Sequence, residues 1–200
     1  MLNNPLTGQR TPRSRLLAIT LVILGAVVLS TATVLGLHWA AAKPNPTTAG
    51  QQARGLGFSK LDIPAPNVLL PSLRAGGTVS LTKLAGKPIV LNFWSTTCVV
   101  CTKETPALVS VARALRGKVT FVGIDSVDRR TPAMAFVSRY HVPYSIAFDS
   151  RGIMATHYGV IALPVTFFLS PSGKTIMGEN IGALTTRSLR AILRDLYGPA

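Results

Sequence analysis

The chain is poor in cysteine, with two in 200 residues, and poor in acid, with seven Asp and Glu against 21 Lys and Arg. Two cysteines are too few for the disulfide framework that braces many small exported folds. A zinc site needs further Cys or His ligands at suitable spacing, and His38, His141 and His157 stand far from one another. Covalent haem attachment calls for a histidine directly after the second cysteine, where Thr102 stands instead. The scarcity of acid leaves a formal charge of +14, yet Arg129-Arg130 is the only tight basic pair and no finger or RNA-binding signature occurs. Counterion release needs a concentrated basic face, so nucleic acid is not an expected partner.

What is present begins with an apolar run. From Leu16 to Leu37 there is no charged residue. At about 1.5 Å of rise per residue, such a helix spans roughly the ~30 Å of a bilayer's hydrocarbon core. Arg10, Arg13 and Arg15 precede it, and Trp39 follows as an interfacial anchor. The positive-inside rule then keeps residues 1–15 in the cytoplasm and places the rest outside. Ala40-Ala41-Ala42 offers a competing reading as a cleavage site, but a signal peptide's apolar core is only about 7 to 15 residues long. A retained span over 16–37 is expected, and either reading exports the domain to a compartment where disulfides persist. Residues 38–60, rich in Pro, Thr, Gly and Gln, read as a tether. Residues 61–200 form the expected domain, since a core needs only about 100 to 150 residues.

Within that domain, Lys87 to Trp94 is a short apolar run that suits a strand buried on both faces. From Val99 to Arg116, Cys101, Leu108, Val111 and Leu115 recur at helical intervals, with Gly117 as a stop and Pro106 expected to kink the helix. Val119 to Ile124 reads as a second buried strand, and Ala133 to Tyr140 as a helix introduced by Thr131-Pro132. This βαβ order implies a parallel pair. After a loop, Val165 to Leu169 and Lys174 to Gly178 flank a Ser-Pro-Ser-Gly turn and form a hairpin. Thr185 to Tyr197 closes the chain as an amphipathic helix. Val68 to Leu81, broken by Gly76-Gly77, reads as an added N-terminal hairpin.

The cysteines fall where the first buried strand gives way to its helix. Cys98 lies at the helix N-terminus, where free N–H groups and the positive end of the dipole favour a thiolate, so it is the expected nucleophile. Cys101, inside the first turn, is placed to close a disulfide or resolve a mixed one. A purely structural bridge is the weaker reading, because so short a loop constrains little of the unfolded chain. Glu104 lies one turn beyond Cys101. Buried there, it would have a raised pKa and could exchange protons with the pair; as a solvated first-turn glutamate, it would only balance the dipole. Taken by itself, Pro164 reads as an ordinary trans proline at a strand start.

Phe93-Trp94-Ser95-Thr96-Thr97-Cys98-Val99-Val100-Cys101-Thr102-Lys103-Glu104-Thr105-Pro106 resembles the active-site segment of the TlpA-like branch of the thioredoxin superfamily, which includes the ResA and CcmG types. Tyr158-Gly159-Val160, Leu163 to Leu169 and Ser172-Gly173 match that branch in order and spacing, so the resemblance runs from about Pro66 to the C-terminus. It implies a thioredoxin-like α/β fold with a central mixed sheet flanked by helices, and a membrane-anchored thiol–disulfide oxidoreductase. It also implies that Cys98 attacks, Cys101 resolves, Glu104 handles the proton, and Pro164 is cis and faces the disulfide. Substrate contact is expected from Thr97, Val99, Val100, Leu163 and Pro164. No cofactor beyond the Cys98–Cys101 pair is expected, and no metal.

The implied work is extracytoplasmic reduction of disulfides in exported proteins such as apocytochrome c, supplied by a thiol-reductant donor in the membrane, with the protein a monomer. Three departures from the branch stand out: Thr97 replaces a tryptophan, Val99-Val100 replaces a dipeptide containing proline, and Val165 replaces a small polar residue. Redox potential and choice of partner are where these departures act. A disulfide-forming oxidase on the same fold is one alternative, since direction follows potential and donor. A Cu(I) metallochaperone is another, with Met154, Met177, His141 or His157 assisting the thiols, although none lies at ligand spacing from them.

Overall fold

The run Ile89–Trp94, apolar but for Asn92, is strand β4, and all six of its residues are buried, as a strand covered on both faces requires. The structure is a computed structural model that describes residues 57–74 and 76–199. Around β4 lie β1 (Gly57–Pro64), β2 (Leu70–Pro71), β3 (Thr78–Val79), β5 (Thr120–Ser126), β6 (Ser145–Asp149), β7 (Val165–Leu169) and β8 (Thr175–Ile181). The helices are α1 (Val99–Ala114), α2 (Arg130–Arg139), α3 (Ile153–His157) and α4 (Thr186–Tyr197), with a 3-10 turn at Leu81–Leu84. Six strands form one mixed sheet in the order β1-β8-β7-β4-β5-β6, and β2 and β3 pair separately. β4, β5 and β6 run parallel, while β7 is antiparallel to β4.

Alternation along β4 divides the core. Ile89, Leu91 and Phe93 pack with Phe167, Leu169 and Met154. Val90 points to the other face, against Leu108 of α1, Phe168 of β7 and Leu189 of α4. Trp94, further along that second face, packs with Cys101, Ala133 and Val137, and its ring stacks on Phe136 at 4.5 Å between centroids. Gly123 of β5 makes room for this indole: a Cβ there would lie 2.9 Å from Trp94 Nε1 and 2.6 Å from Ile146 Cδ1. Period-two alternation thus puts Asn92 on the α1 and α4 side, between Val90 and Trp94.

Several expectations need correction. The tether was expected to reach residue 60, but Gly57–Lys60 are already paired with β8. Edge pairing, not apolar content, makes this segment a strand. The N-terminal hairpin is present as β2 and β3, in its own two-stranded sheet. The stretch before β7, read as a loop, contains β6 and α3, five residues each and too short for periodicity to register. Helix α1 runs through Pro106 to Ala114, two residues short of the expected end at Arg116. The expected cytoplasmic segment 1–15, the span 16–37 and the tether up to residue 56 lie outside the described residues. Among the described residues, no helix is long and apolar enough to cross a membrane.

Candidate active site

β4 ends at Trp94, and the chain turns through Ser95-Thr96-Thr97 into α1, whose N-cap is Cys98. Two sets of hydrogen bonds fix this turn. Ser95 Oγ and Thr97 Oγ1 lie 2.8 Å apart. Asp128, beyond the end of β5, accepts from Thr96 N at 2.6 Å and from Thr96 Oγ1 at 2.8 Å. Parallel pairing of β4 with β5 brings the two loops together, Trp94 lying opposite Asp125.

Cys98 and Cys101 are joined in a disulfide. Cys98 Sγ also accepts from Cys101 N at 3.1 Å, so the sulfur performs the capping task that usually falls to Ser or Asp. The two thiols differ in access: Cys98 is partly exposed, whereas Cys101 is wholly buried. Thr97, Val99 and Val100 are exposed around them. The Leu163-Pro164 peptide bond is cis, which replaces the trans reading of that residue taken alone and matches the resemblance. Pro164 directly precedes Val165, which pairs with Phe93. Leu163 packs on the same cluster as Cys98. The five residues expected to meet substrate therefore lie at the same end of the sheet as the cysteines.

Glu104 is not a solvated first-turn residue, for only 2% of it is exposed. Its Oε1 accepts from Asn92 Nδ2 at 2.8 Å and its Oε2 from Leu184 N at 3.0 Å. Asn92 also donates to Thr166 Oγ1 at 3.0 Å, which ties β4, β7 and the approach to α4 to a single carboxyl. Burial pushes this carboxyl up to about 7, against the two donors, which hold it down. It can therefore take or give a proton near neutrality, one helical turn from Cys101. Asn92 is the positioning residue that sequence reading missed, although a lone amide inside a wholly buried strand was a visible signal.

A second buried acid was also missed. Asp125 is fully buried on β5. Burial, followed by the charge of neighbouring Asp128, raises its carboxyl to about 8, while Arg130 opposes the rise. Arg130 is itself held by the Leu73 carbonyl at 2.6 Å and lies 4.5 Å over the Phe148 ring. Among the described residues, no group of His, Cys, Asp and Glu could hold a metal ion. Met154 packs in the cluster on the opposite side of β4 from the one that holds Cys101.

The AhpC/TSA family model matches residues 62–176. The chain is 32% identical over 133 residues to the thiol-disulfide oxidoreductase ResA of Bacillus thuringiensis subsp. konkukian, covering 66% of this chain and 76% of that protein. It is 34% identical over 142 residues to the thiol:disulfide interchange protein DsbE of Xylella fastidiosa, covering 68% and 71%. Among solved structures, a secreted disulfide oxidoreductase of Mycobacterium tuberculosis homologous to E. coli DsbE superposes with a TM-score of 0.58 at 30% identity, covering 64% of this chain and 96% of that one. A DsbF homologue from Corynebacterium diphtheriae has the same fold, with a TM-score of 0.65 at 24% identity over 72% of this chain and 96% of that one.

Proposed function

Because this chain belongs to the AhpC/TSA family and is a thiol–disulfide oxidoreductase of the ResA and DsbE type, we propose that it works outside the cytoplasmic membrane as a reductant of disulfides in exported proteins, apocytochrome c among them. The observation that carries the reading is the pairing of an accessible, helix-capping Cys98 with a buried Cys101 one turn from a carboxyl tuned to about 7. In the reduced protein, the Cys98 thiolate attacks one sulfur of the substrate disulfide. That S–S bond breaks and the second substrate sulfur leaves as a thiolate, which takes up a proton. Cys101 then gives its proton to the Glu104 carboxylate and attacks Cys98 Sγ. The mixed disulfide breaks, the Cys98–Cys101 bond forms, and the other substrate sulfur leaves as a thiolate, which takes up a proton as Glu104 gives its own back to solvent. Two electrons have passed to the substrate, and no cofactor takes part.

A thiol donor in the membrane returns the pair to its reduced form, and the span at 16–37 holds the monomer beside that donor. Replacing Cys101 with Ala stalls the cycle at the mixed disulfide. Thiol-trapped adducts of Cys101→Ala recovered from cells are expected to contain exported proteins with paired cysteines, cytochrome c precursors included. Adducts made up only of cytoplasmic proteins would refute the location and the substrate together. The chain is also expected to stay with membranes through a high-salt wash, and its release by salt would refute the anchor.

A further inference from the structure

The exchange cycle uses one buried acid, Glu104, and leaves a second without a role. Asp125 is fully buried on β5, between its register partners Trp94 of β4 and Phe148 of β6. Among the described residues, no N–H or O–H donor reaches either of its carboxyl oxygens. An ionised carboxylate sealed from water without a donor is very costly, so a buried acid of this kind keeps its proton. The charged groups that face it agree with this. Asp128 in the following loop and Asp149 of β6 oppose ionisation, and only Arg130 of α2 favours it. Arg130 directs its own hydrogen bonds to the Ser72 and Leu73 carbonyls. A neutral Asp125 then has one O–H to donate.

The acceptor stands three residues on. Asp128 accepts from Thr96 N at 2.6 Å, from Thr96 Oγ1 at 2.8 Å and from Arg129 N at 3.0 Å. A carboxylate offers about four lone-pair sites, so one is left for Asp125, whose side chain lies within hydrogen-bonding reach. The backbone between the two acids is bent. Val127 has φ 56°, in the left-handed region, where a β-branched residue is a genuine outlier. The bend is held from the β6 side: Val127 N donates to Asp149 O at 3.0 Å, and a Cβ on Gly152 would come 3.1 Å from Val127 Cγ2. Strain of this kind gathers where it positions a functional group.

We infer that Asp125 is a further positioning residue for the thiol chemistry: as a neutral acid it donates to Asp128, completes the bonds on that carboxylate, and so holds the Thr96 turn in the geometry from which Cys98 attacks. Ionisation of Asp125, at about 8, replaces that donor with a second negative charge facing Asp128. The clamp on Thr96 then loosens. This device sits on the β5 side of the cysteine turn, whereas Glu104 is held from β4 and from the approach to α4. The inference rests on the reading of Cys98 as the attacking thiol and gives that site a second pH dependence, separate from that of Glu104.

The test has two arms, both on the full-length protein in detergent. The first follows the Thr96 amide by NMR in the oxidised protein, whose cysteines are tied up in their disulfide, while the Asp125 carboxyl carbon is titrated. The amide resonance is expected to shift with the Asp125 midpoint in wild type and in Glu104→Gln, and to stay still over that range in Asp125→Asn. In the second arm the prereduced protein reacts in a single turnover with a peptide disulfide. Asp125→Leu, similar in shape but without a donor, is expected to slow attack about tenfold at pH 6.5, through the limiting rate and not the half-saturating concentration, the scale of a small misplacement of a reacting group. Asp125→Asn, whose amide donates at every pH, is expected to stay within about threefold of wild type there, and the ratio of its rate to that of wild type to rise about fivefold by pH 9.5. A Thr96 amide indifferent to the Asp125 titration, or equal slowing by Asp125→Asn and Asp125→Leu, overturns the inference and leaves the proposed function standing. If Asp125→Leu does not fold, the Thr96 shift and the Asp125→Asn ratio decide alone. A wild-type protein that fails to react with the peptide disulfide overturns the proposed function instead.

Discussion

Asn92 holds Glu104 from the middle of the sheet: its side-chain amide donates to one carboxylate oxygen at 2.8 Å, while the Leu184 amide holds the other at 3.0 Å. Both donors favour the ionised acid and burial opposes it, leaving the group at about 7. Asn92→Ala removes one donor. The inflection in the pH–rate profile of disulfide exchange is expected to move about one unit to the alkaline side, the scale of a hydrogen bond to a charged group. Glu104→Gln is expected to abolish that inflection and slow exchange at least tenfold. An unchanged profile in both variants would return Glu104 to a structural role.

Stability should fall as pH rises. In the unfolded chain Glu104 and Asp125 lose their protons near their ordinary values of 4.5 and 3.8, whereas the folded protein keeps them to about 7 and about 8. Across that window the folded state binds more protons than the unfolded state, so each group lowers stability by up to about 1.4 kcal/mol per pH unit. Their contribution is fully present below about pH 4 and is lost as pH rises through the folded values. Urea midpoints are expected to be higher at pH 5 than at pH 8. Asp125→Asn should remove its share of the slope and gain on wild type above neutrality. A variant that gains equally at every pH would disprove the linkage.

Asp128→Ala should release the turn in front of Cys98. Both hydrogen bonds to Thr96 vanish, at an expected cost of about 1 to 3 kcal/mol. The Thr96 amide, bonded to Asp128 in the native protein, should then exchange with solvent faster. The same change removes a charge that raises Asp125, so the acid is expected to titrate lower. Unaltered Thr96 protection would show that the turn holds without its clamp.

Cys98 should be alkylated before Cys101 in the reduced protein, because it is the thiol with both a helix terminus and access to solvent. Preferential labelling of Cys101 by one equivalent of reagent at neutral pH would reverse the assignment.

The pair should be reducing. Val99 and Val100 bring neither charge nor donor to the Cys98 sulfur, and an ionised Glu104 disfavours a thiolate nearby. The helix dipole acts the other way. Equilibration with glutathione or dithiothreitol is expected to give a potential nearer about −270 mV than about −120 mV. A value above about −180 mV would favour the oxidase.

The strands and helices that frame the cysteines were legible because each has a pattern of its own. β4 and β5 are short apolar runs and α1 has a helical period, so the strand-to-helix position of Cys98 followed directly. β1 was not legible: most of its residues are exposed, and only hydrogen bonding to β8 makes it a strand. β6 and α3 are too brief to show a period. The cysteines and the placement of Glu104 came from local spacing. The partners of Glu104 did not, since Asn92, itself bonded to Thr166, and Leu184 meet it only when β4, β7 and the approach to α4 are assembled. Asp125 directly follows the apolar run Val119 to Ile124, where a charge gives no sign of burial, and its neighbour Asp128 takes its role from a loop contact across the sheet end.

One of the bonds on Glu104 comes from far along the chain. Leu184 stands 80 positions after the acid and immediately before Thr185, the N-cap of α4. A ribosome completes both thiols long before it completes the segment that supplies this donor. During synthesis the cysteines therefore exist for a time without the finished environment that sets their proton carrier, and that environment is complete only when the segment before the last helix is in place. Loss of the chain from Leu184 onward leaves the CxxC sequence whole and deprives the buried acid of one of its two hydrogen bonds.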